Sequence, residues 1–338
     1  MRVCIVGAGI GGLTLAGGLL QHGHNVIVLE RSATLRSAGA GLLLQQRALK
    51  QLDALGIRVQ GQPFDGFSLG LQDGVPRVQN PGSGLAVTRE ALHQALTDAA
   101  VGADIRLGCS LIGWEMDDDT VRVHLDDGTT LTVDHLVGAD GIGSVVRQQL
   151  SGRVIRQYAG YTCWRALTSH RVPLSRPCEY WGHGARVGLV PVKDGTYVYL
   201  TLNAPPRRRQ APPADIFASF GGPIADALAS IPDDDWIQND IDYLRGSVWG
   251  GGRVRLLGDA AHGFTPNLGQ GACQAIDDAG QLIRYFGGEA NQYPGPCRRR
   301  AWGFAAASNS LGMIAQSSGP LLNGIRDMMI RLMGAWIR

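Results

Sequence analysis

A hexapeptide near the N-terminus, Gly7-Ala8-Gly9-Ile10-Gly11-Gly12, has the spacing that lets backbone amides close around a pyrophosphate. Gly7 allows a tight turn, Gly9 leaves room for phosphate oxygens against the main chain, and Gly12 lets a helix pack on the preceding strand. The apolar run Val3-Cys4-Ile5-Val6 comes before it and a helical pattern over Leu13 to His22 comes after it. A second apolar run, Asn25-Val-Ile-Val-Leu29, then ends in Glu30. A carboxylate there pairs with ribose hydroxyls and repels a 2′-phosphate, so the site suits the adenosine half of FAD or NAD rather than NADP. The spacing leaves those two open. Six glycines between Val3 and Leu20 argue against reading this stretch as an export signal or membrane helix.

Two later segments carry further chemistry. Leu136-Val-Gly-Ala-Asp140-Gly141-Ile-Gly-Ser144-Val-Val-Arg147 reads as a buried strand, an acid-bearing turn and a helix start capped by Ser144. Arg253 to Leu257 is another short strand, leading to Gly258-Asp259-Ala-Ala-His262 and Pro266-Asn-Leu-Gly269-Gln270-Gly271. Helical pattern resumes at Ala272 and runs to Tyr285. A helix N-terminus of this kind presents unpaired N–H groups and a partial positive charge, suited to an anion or to a ring that becomes anionic. No serine or cysteine stands in the Ser/His/Asp arrangement of a hydrolase. Cys273 reads as a buried thiol and His262 as a hydrogen-bonded structural histidine.

In order and spacing these three segments resemble, across nearly the whole chain, the class A flavoprotein monooxygenases of the p-hydroxybenzoate hydroxylase fold. The run Thr265 to Ala279 is most similar to the salicylate hydroxylase, urate hydroxylase and zeaxanthin epoxidase branch. The resemblance implies that Gly7, Gly9, Gly12 and Glu30, with Ile10, Gly11 and Arg31 beside them, form the first FAD motif. Asp140 and Gly141 match the motif between FAD and the nicotinamide cofactor, and Gly258 and Asp259 match the second FAD motif. It further implies Asp259 at the ribityl chain, Arg89 at the diphosphate or ribityl region, and Arg36 and Gly41 on the flavin side. Pro266, Gly269, Gln270, Gly271 and Ala272 would surround the flavin ring. Trp164, Arg165, Tyr180 and Tyr199 are the substrate candidates.

The activity implied by that resemblance is reduction of FAD by NADH or NADPH, followed by O₂ addition at flavin C4a. The resulting hydroperoxide would hydroxylate or epoxidise a small aromatic or polyene substrate. The residues themselves leave open a flavin reductase or dehydrogenase on the same fold, and a non-redox protein that keeps FAD while binding or cyclising a natural product. After Gly41 the chain departs from many members, with Leu43, Gln46 and Arg47 where they carry a small residue and Pro-Asn.

Chemistry at these positions requires elements that hold them. At roughly 150 residues per domain, 338 residues predict two units. The expected architecture is α/β: a discontinuous Rossmann-like FAD-binding unit over 1–62, 82–160 and 246–290, and a mostly antiparallel substrate unit over 63–81 and 161–245. A C-terminal helical segment, 291–338, completes the chain. Gln62 to Pro81 reads as a hairpin around Asp73-Gly74, and Trp114 to Val133 as a small antiparallel insert with solvated acids in its turns. Ala214 to Ser230 reads as one helix. On the last helix Leu321, Ile325, Met328, Leu332 and Trp336 share a face, expected to pack in the core or a dimer, with a peripheral membrane contact as the alternative.

Composition closes off other classes. The chain is 44% hydrophobic and 18% charged, neither disordered nor a membrane bundle. Lys plus Arg is 31 against 29 for Asp plus Glu, so no overall field draws in nucleic acid, and Arg207 to Arg209 and Arg298 to Arg300 read as solvated loops. Six cysteines show no C-x-x-C pairing, which predicts scattered thiols in a reducing cytoplasm and no metal. The expected partners are a small-molecule substrate and O₂, with the protein a monomer or homodimer and not integral to a membrane.

Overall fold

The computed structural model describes residues 1–35, 40–152, 154–206, 210–290 and 292–336, the last three by their backbone only. A six-stranded sheet runs in the order Gly250–Gly251, Val254–Leu256, His135–Gly138, Arg2–Val6, Asn25–Glu30 and Asp104–Leu107, parallel but for the first strand. Connections leave Arg2–Val6 toward one neighbour early and the other much later, so its carboxyl end is the topological switch point where α/β sheets open a crevice. The helix Ile10–Gln21 starts there. It is buried on nearly all sides because Arg89–Ala99 and Gly271–Phe286 pack against it. Fully buried Leu13, Leu15 and Leu19 each contribute about 2 kcal/mol of apolar burial.

The second sheet has eight strands in the order Ile237–Arg245, Ile155–Thr168, Gly195–Asn203, Ala185–Val192, Cys178–Trp181, Gln62–Leu71, Pro76–Thr88 and Gly41–Gln45. All pairings are antiparallel except that of Cys178–Trp181 with Gln62–Leu71. Gly41–Gln45 pairs with Pro76–Thr88, which runs unbroken through residue 82, so both belong to this sheet. The hairpin turn itself is as read, with Gly74 at φ +75°. The insert is a three-stranded antiparallel sheet of Leu111–Met116, Val121–Leu125 and Thr130–Val133.

Three helical expectations change. Ala214–Phe217 and Ile224–Ala229 are two short helices, separated where Gly221-Gly222-Pro223 cannot sustain one. Arg298 to Arg300 lie in the helix Pro296–Ala315 rather than a loop. The final helix, Pro320–Trp336, turns Leu321, Ile325, Met328 and Leu332 outward, and buries Asn323, Arg326 and Ile330 instead. Core packing is therefore not the fate of that apolar face. Arg36, Arg207 to Arg209 and the Trp336 side chain lie outside the described residues.

Candidate active site

The first glycine motif divides by what a side chain would meet. A Cβ on Gly7, which sits at φ +106°, would come within 2.5 Å of the Ala139 carbonyl oxygen, and one on Gly12 within 2.0 Å of the Gly7 oxygen. Both are set by strand and helix packing. A Cβ on Gly9 would meet nothing within 4 Å, although Gly9 caps the helix Ile10–Gln21. The protein leaves space there that it does not fill. That helix has no side-chain cap and no acid in its first turn, and the same holds for Gly271–Phe286. The start of Ile10–Gln21 packs against the second turn of Gly271–Phe286: the Cβ position of Gly11 is 3.3 Å from Ala275 Cβ. Two uncapped positive ends thus converge on one region.

A cleft of about 360 Å³ opens at this point, walled by Gly9, Glu30, Arg89 and His93 from the parallel unit and by Arg165 and Asn239 from the large sheet. Glu30 accepts from the Ala8 and Ser32 amides, both at 2.9 Å, which fixes its carboxylate at the strand end. Arg31 follows it at the surface. Burial, and then the neighbouring Arg165, hold the Arg89 guanidinium below its ordinary pKa. Two cations left to repel each other beside uncapped helix ends fit the diphosphate of FAD.

Asp140 and Asp259 sit deeper. Asp140 Oδ2 accepts from Val145 N at 2.7 Å while its buried Oδ1 has no partner among the described residues. Ser144 caps the same helix by accepting from Arg147 N at 2.9 Å, as the sequence suggested. Arg147, given no role from sequence, is buried and donates to Ala260 O at 2.8 Å and Ile142 O at 2.5 Å. It ties the Asp140 turn to the Asp259 turn. Asp259 is solvent-accessible, and the protein packed around its carboxyl raises its pKa. Behind it, His262 Nε2 and Asp278 Oδ2 are 2.5 Å apart, and the same oxygen accepts from Gly258 N at 3.0 Å. Burial alone would depress the His262 pKa, and the Asp278 carboxylate reverses this and raises it. His262 is therefore the structural residue the sequence implied.

The residues expected around the flavin ring are open. Pro266 and Gly269 are exposed, and a Cβ on Gly269 or Gly271 would meet nothing within 4 Å. Gln270 is buried and Ala272 packs against the parallel unit's core. Gly41 differs: a Cβ there would lie 2.5 Å from the Tyr197 ring, so packing within the large sheet explains it. Arg47 pairs with Asp277 at 2.6 Å. Cys273 bridges to Leu43 O at 3.4 Å, and burial pushes its thiol up to about 11.

Strand alternation separates the substrate candidates. Arg165 pairs with Tyr199, Tyr199 with Gly188 and Gly188 with Glu179, which places one row across four strands on the inner face. Trp164 and Tyr180 lie on the outer face, fully buried with Phe217 and Phe220 under the two short helices. Both face away from the cleft that Arg165 lines, and Trp164 lines another beside Gln210 and Trp236. The next inner row holds Arg186, which sequence reading passed over as an ordinary strand position. Its one signal was a cation at the second position of the otherwise apolar run Ala185 to Val192. Arg186 is 3% exposed and donates to Gln316 Oε1 at 2.7 Å, Asn267 Oδ1 at 2.9 Å and Glu179 Oε1 at 3.3 Å. Glu179 also accepts from Trp181 Nε1 at 2.5 Å and from the Tyr199 hydroxyl. Burial and then Glu179 hold the Tyr199 phenol far above its usual pKa, so it remains a donor.

Residues 1–291 match the family model described as FAD binding domain. The 2-heptyl-3-hydroxy-4(1H)-quinolone synthase of Pseudomonas aeruginosa is 37% identical over 311 residues, covering 85% of this chain and 81% of that one. The aurachin C monooxygenase/isomerase of Stigmatella aurantiaca is 33% identical, covering 99% of this chain and 95% of its own length. Among solved structures, Klebsiella pneumoniae HpxO complexed with FAD and uric acid superposes with a TM-score of 0.87 at 24% identity, over 100% of this chain and 94% of that one. The large antiparallel sheet facing a parallel nucleotide-type unit is thus shared with an FAD-bound structure. Motifs, fold and relatives agree, and the chain belongs to the FAD-binding-domain family as an FAD-dependent monooxygenase.

Proposed function

We propose that this enzyme hydroxylates a 4-quinolone-type heteroaromatic bearing a lipophilic substituent, at the ring carbon beside the carbonyl, with NADH or NADPH and O₂ as co-substrates. The name of the relative at 37% identity supports the substrate class. The observation that carries the reading is the inner-face group of Glu179, Arg186, Tyr199 and Asn267. Such a ring offers an N–H, which a carboxylate accepts, and a carbonyl, which a guanidinium such as that of Arg186 donates to. Phe64, Val190, Tyr197 and Leu43 supply the apolar wall beside that group.

FAD would lie with its diphosphate at Gly9 to Gly12, Arg89 and Arg165, its adenosine ribose at Glu30 and its ribityl chain near Asp259. The open positions Pro266, Gly269 and Gly271 would leave room for its ring. The chemistry supplied by bound FAD is acceptance of hydride from NAD(P)H and activation of O₂. The uncapped start of Gly271–Phe286 favours negative charge on the ring, and the apolar wall keeps water from it. Arg186 would hold the substrate carbonyl while Glu179, fixed by the Tyr199 hydroxyl, keeps the ring nitrogen oriented. The balance is one substrate C–H, O₂, NAD(P)H and a proton giving C–OH, water and NAD(P)⁺. We place the reaction in the cytoplasm, on a monomer or homodimer.

The test is to add a 2-alkyl-4-quinolone to the yellow holoenzyme under isotopically labelled O₂. Accelerated NAD(P)H oxidation with one labelled atom in the product supports the reading. If quinolones leave that rate unchanged while an aromatic acid or a purine raises it, the substrate class is wrong and the monooxygenase assignment stands.

A further inference from the structure

The last two helices present an unusual surface. Pro320–Trp336 rests on the protein through Asn323, Arg326 and Ile330, spaced three and four residues apart on one face. Arg326 fastens it by donating to Gly182 O at 2.9 Å, and Ile330 enters the cluster of Leu71, Val78 and Trp181. The polar side of the helix is therefore inward. Its apolar side is outward, with Leu321 76% and Leu332 61% exposed and Ile325, Met328 and Met329 exposed between them. The preceding helix, Pro296–Ala315, also carries exposed residues, from Arg298 and Arg299 through Trp302 to Met313 and Ile314. No helix among the described residues is long and apolar enough to cross a membrane. A soluble monomer rarely leaves an apolar area of this extent in water.

Charge says what covers it. From residue 291 onward the sequence has six arginines and one acid, Asp327, and among the described residues Arg298, Arg299 and Arg331 are the exposed arginines, while the first 290 residues hold 25 basic and 28 acidic side chains. The single acid is turned to Arg326 at 2.8 Å and His183 at 3.7 Å, so it does not offset the outer surface. Arg331 is 58% exposed on the terminal helix and reaches Asp73 only at 3.8 Å. A second copy of the chain docking through the same face would bring like charges together, since a two-fold contact apposes a patch to itself. An apolar helical face bordered by arginines matches instead the layered chemistry of a lipid surface, acyl chains beneath anionic headgroups.

We propose that this face docks on an anionic lipid surface, with Pro320–Trp336 lying along the interface and the arginines meeting headgroup phosphates. Binding is peripheral and reversible.

The experiment floats the FAD-loaded full chain with vesicles of phosphatidylcholine mixed equally with phosphatidylglycerol, and with phosphatidylcholine alone. The protein should float with the mixed vesicles, at least about tenfold better than with the neutral ones, and high salt should release it. Each arginine removed in Arg298→Gln and Arg299→Gln should lower partition about fivefold. Ile325→Ser with Met328→Ser and Leu332→Ser should abolish it, flavin absorbance reporting that the variant is folded. Bromine-labelled acyl chains should quench an emission component that Trp302→Phe removes. Absence of flotation overturns the proposal, whether the protein then sediments as a monomer or as a dimer that the triple serine variant dissociates. If the triple variant fails to retain flavin, the arginine pair and the Trp302 quenching still decide.

Discussion

Arg186 Nη2 donates to Asn267 Oδ1 at 2.9 Å, and that bond joins the large antiparallel sheet to the loop entering the helix Gly271–Phe286. Tyr161 donates to the same oxygen at 3.0 Å, and Asn267 in turn donates to Ser308 O at 2.9 Å. Sheet, ring-side loop and C-terminal helix thus meet at one amide. The two units of the chain are positioned by polar bonds, whose directionality sets geometry more tightly than apolar contact does.

Replacing Arg186 by methionine should leave Glu179 with its charge half-buried and poorly compensated. Removing one partner of such a pair costs about 3 kcal/mol. The expected result is a yellow protein with a lowered unfolding midpoint in denaturant and kcat/KM reduced about 100-fold, read from NAD(P)H oxidation with substrate. Unchanged kinetics would remove Arg186 from the site.

The glycines should separate into two groups. Gly9→Ala meets no protein atom within 4 Å, so the apoprotein should unfold at the wild-type temperature while FAD binds about tenfold more weakly. Gly12→Ala drives a methyl group toward the Gly7 oxygen, and Gly7→Ala adds positive-φ strain of about 1–2 kcal/mol to its own clash. Both should destabilise the apoprotein itself. Calorimetry of the three apoproteins with FAD titration of each distinguishes them, and a destabilised Gly9→Ala apoprotein would contradict the assignment.

Adjacent residues on one strand should behave oppositely. Trp164 Nε1 donates to Gln210 O at 2.7 Å inside the outer-face core, so Trp164→Phe should cost about 1–3 kcal/mol of stability and leave FAD affinity unchanged. Arg165→Gln should weaken FAD binding about tenfold by removing one of the two cleft cations. Fluorescence titration of flavin against both variants checks the pair.

The His262–Asp278 pair predicts a pH dependence of definite sign. The folded state raises the His262 pKa above its ordinary 6.5, so the stability from this pair is fully present below pH 6.5. It is lost as pH rises through the raised value. His262→Gln should remove that dependence and cost about 3 kcal/mol on the acid side of the window. The difference in Tm between wild type and variant, followed across pH, should shrink toward alkaline pH; a difference that grows would reverse the argument.

The nucleotide-type unit was legible in the linear order of residues because its signals are local. A strand, a glycine turn and a helix adjoin in sequence, and Glu30 follows at a spacing dictated by one helix and one strand. The hairpin at Gly74, the three-stranded insert and the cap at Ser144 were readable for the same reason. Which face of a strand looks at the cleft was not. Trp164 and Arg165 are neighbours in the chain, and only pairing with Tyr199 and coverage by the short helices sends one into a core and the other into the site. Glu179 and Arg186 sit on the two strands of one hairpin, but Asn267 lies 81 residues beyond Arg186, so its convergence with them is a property of the packed structure. The outward face of the last helix follows the same logic: its apolar spacing was visible, but the inner side was claimed by Arg326, whose bonds to Gly182 and the end of the neighbouring helix exist only after folding.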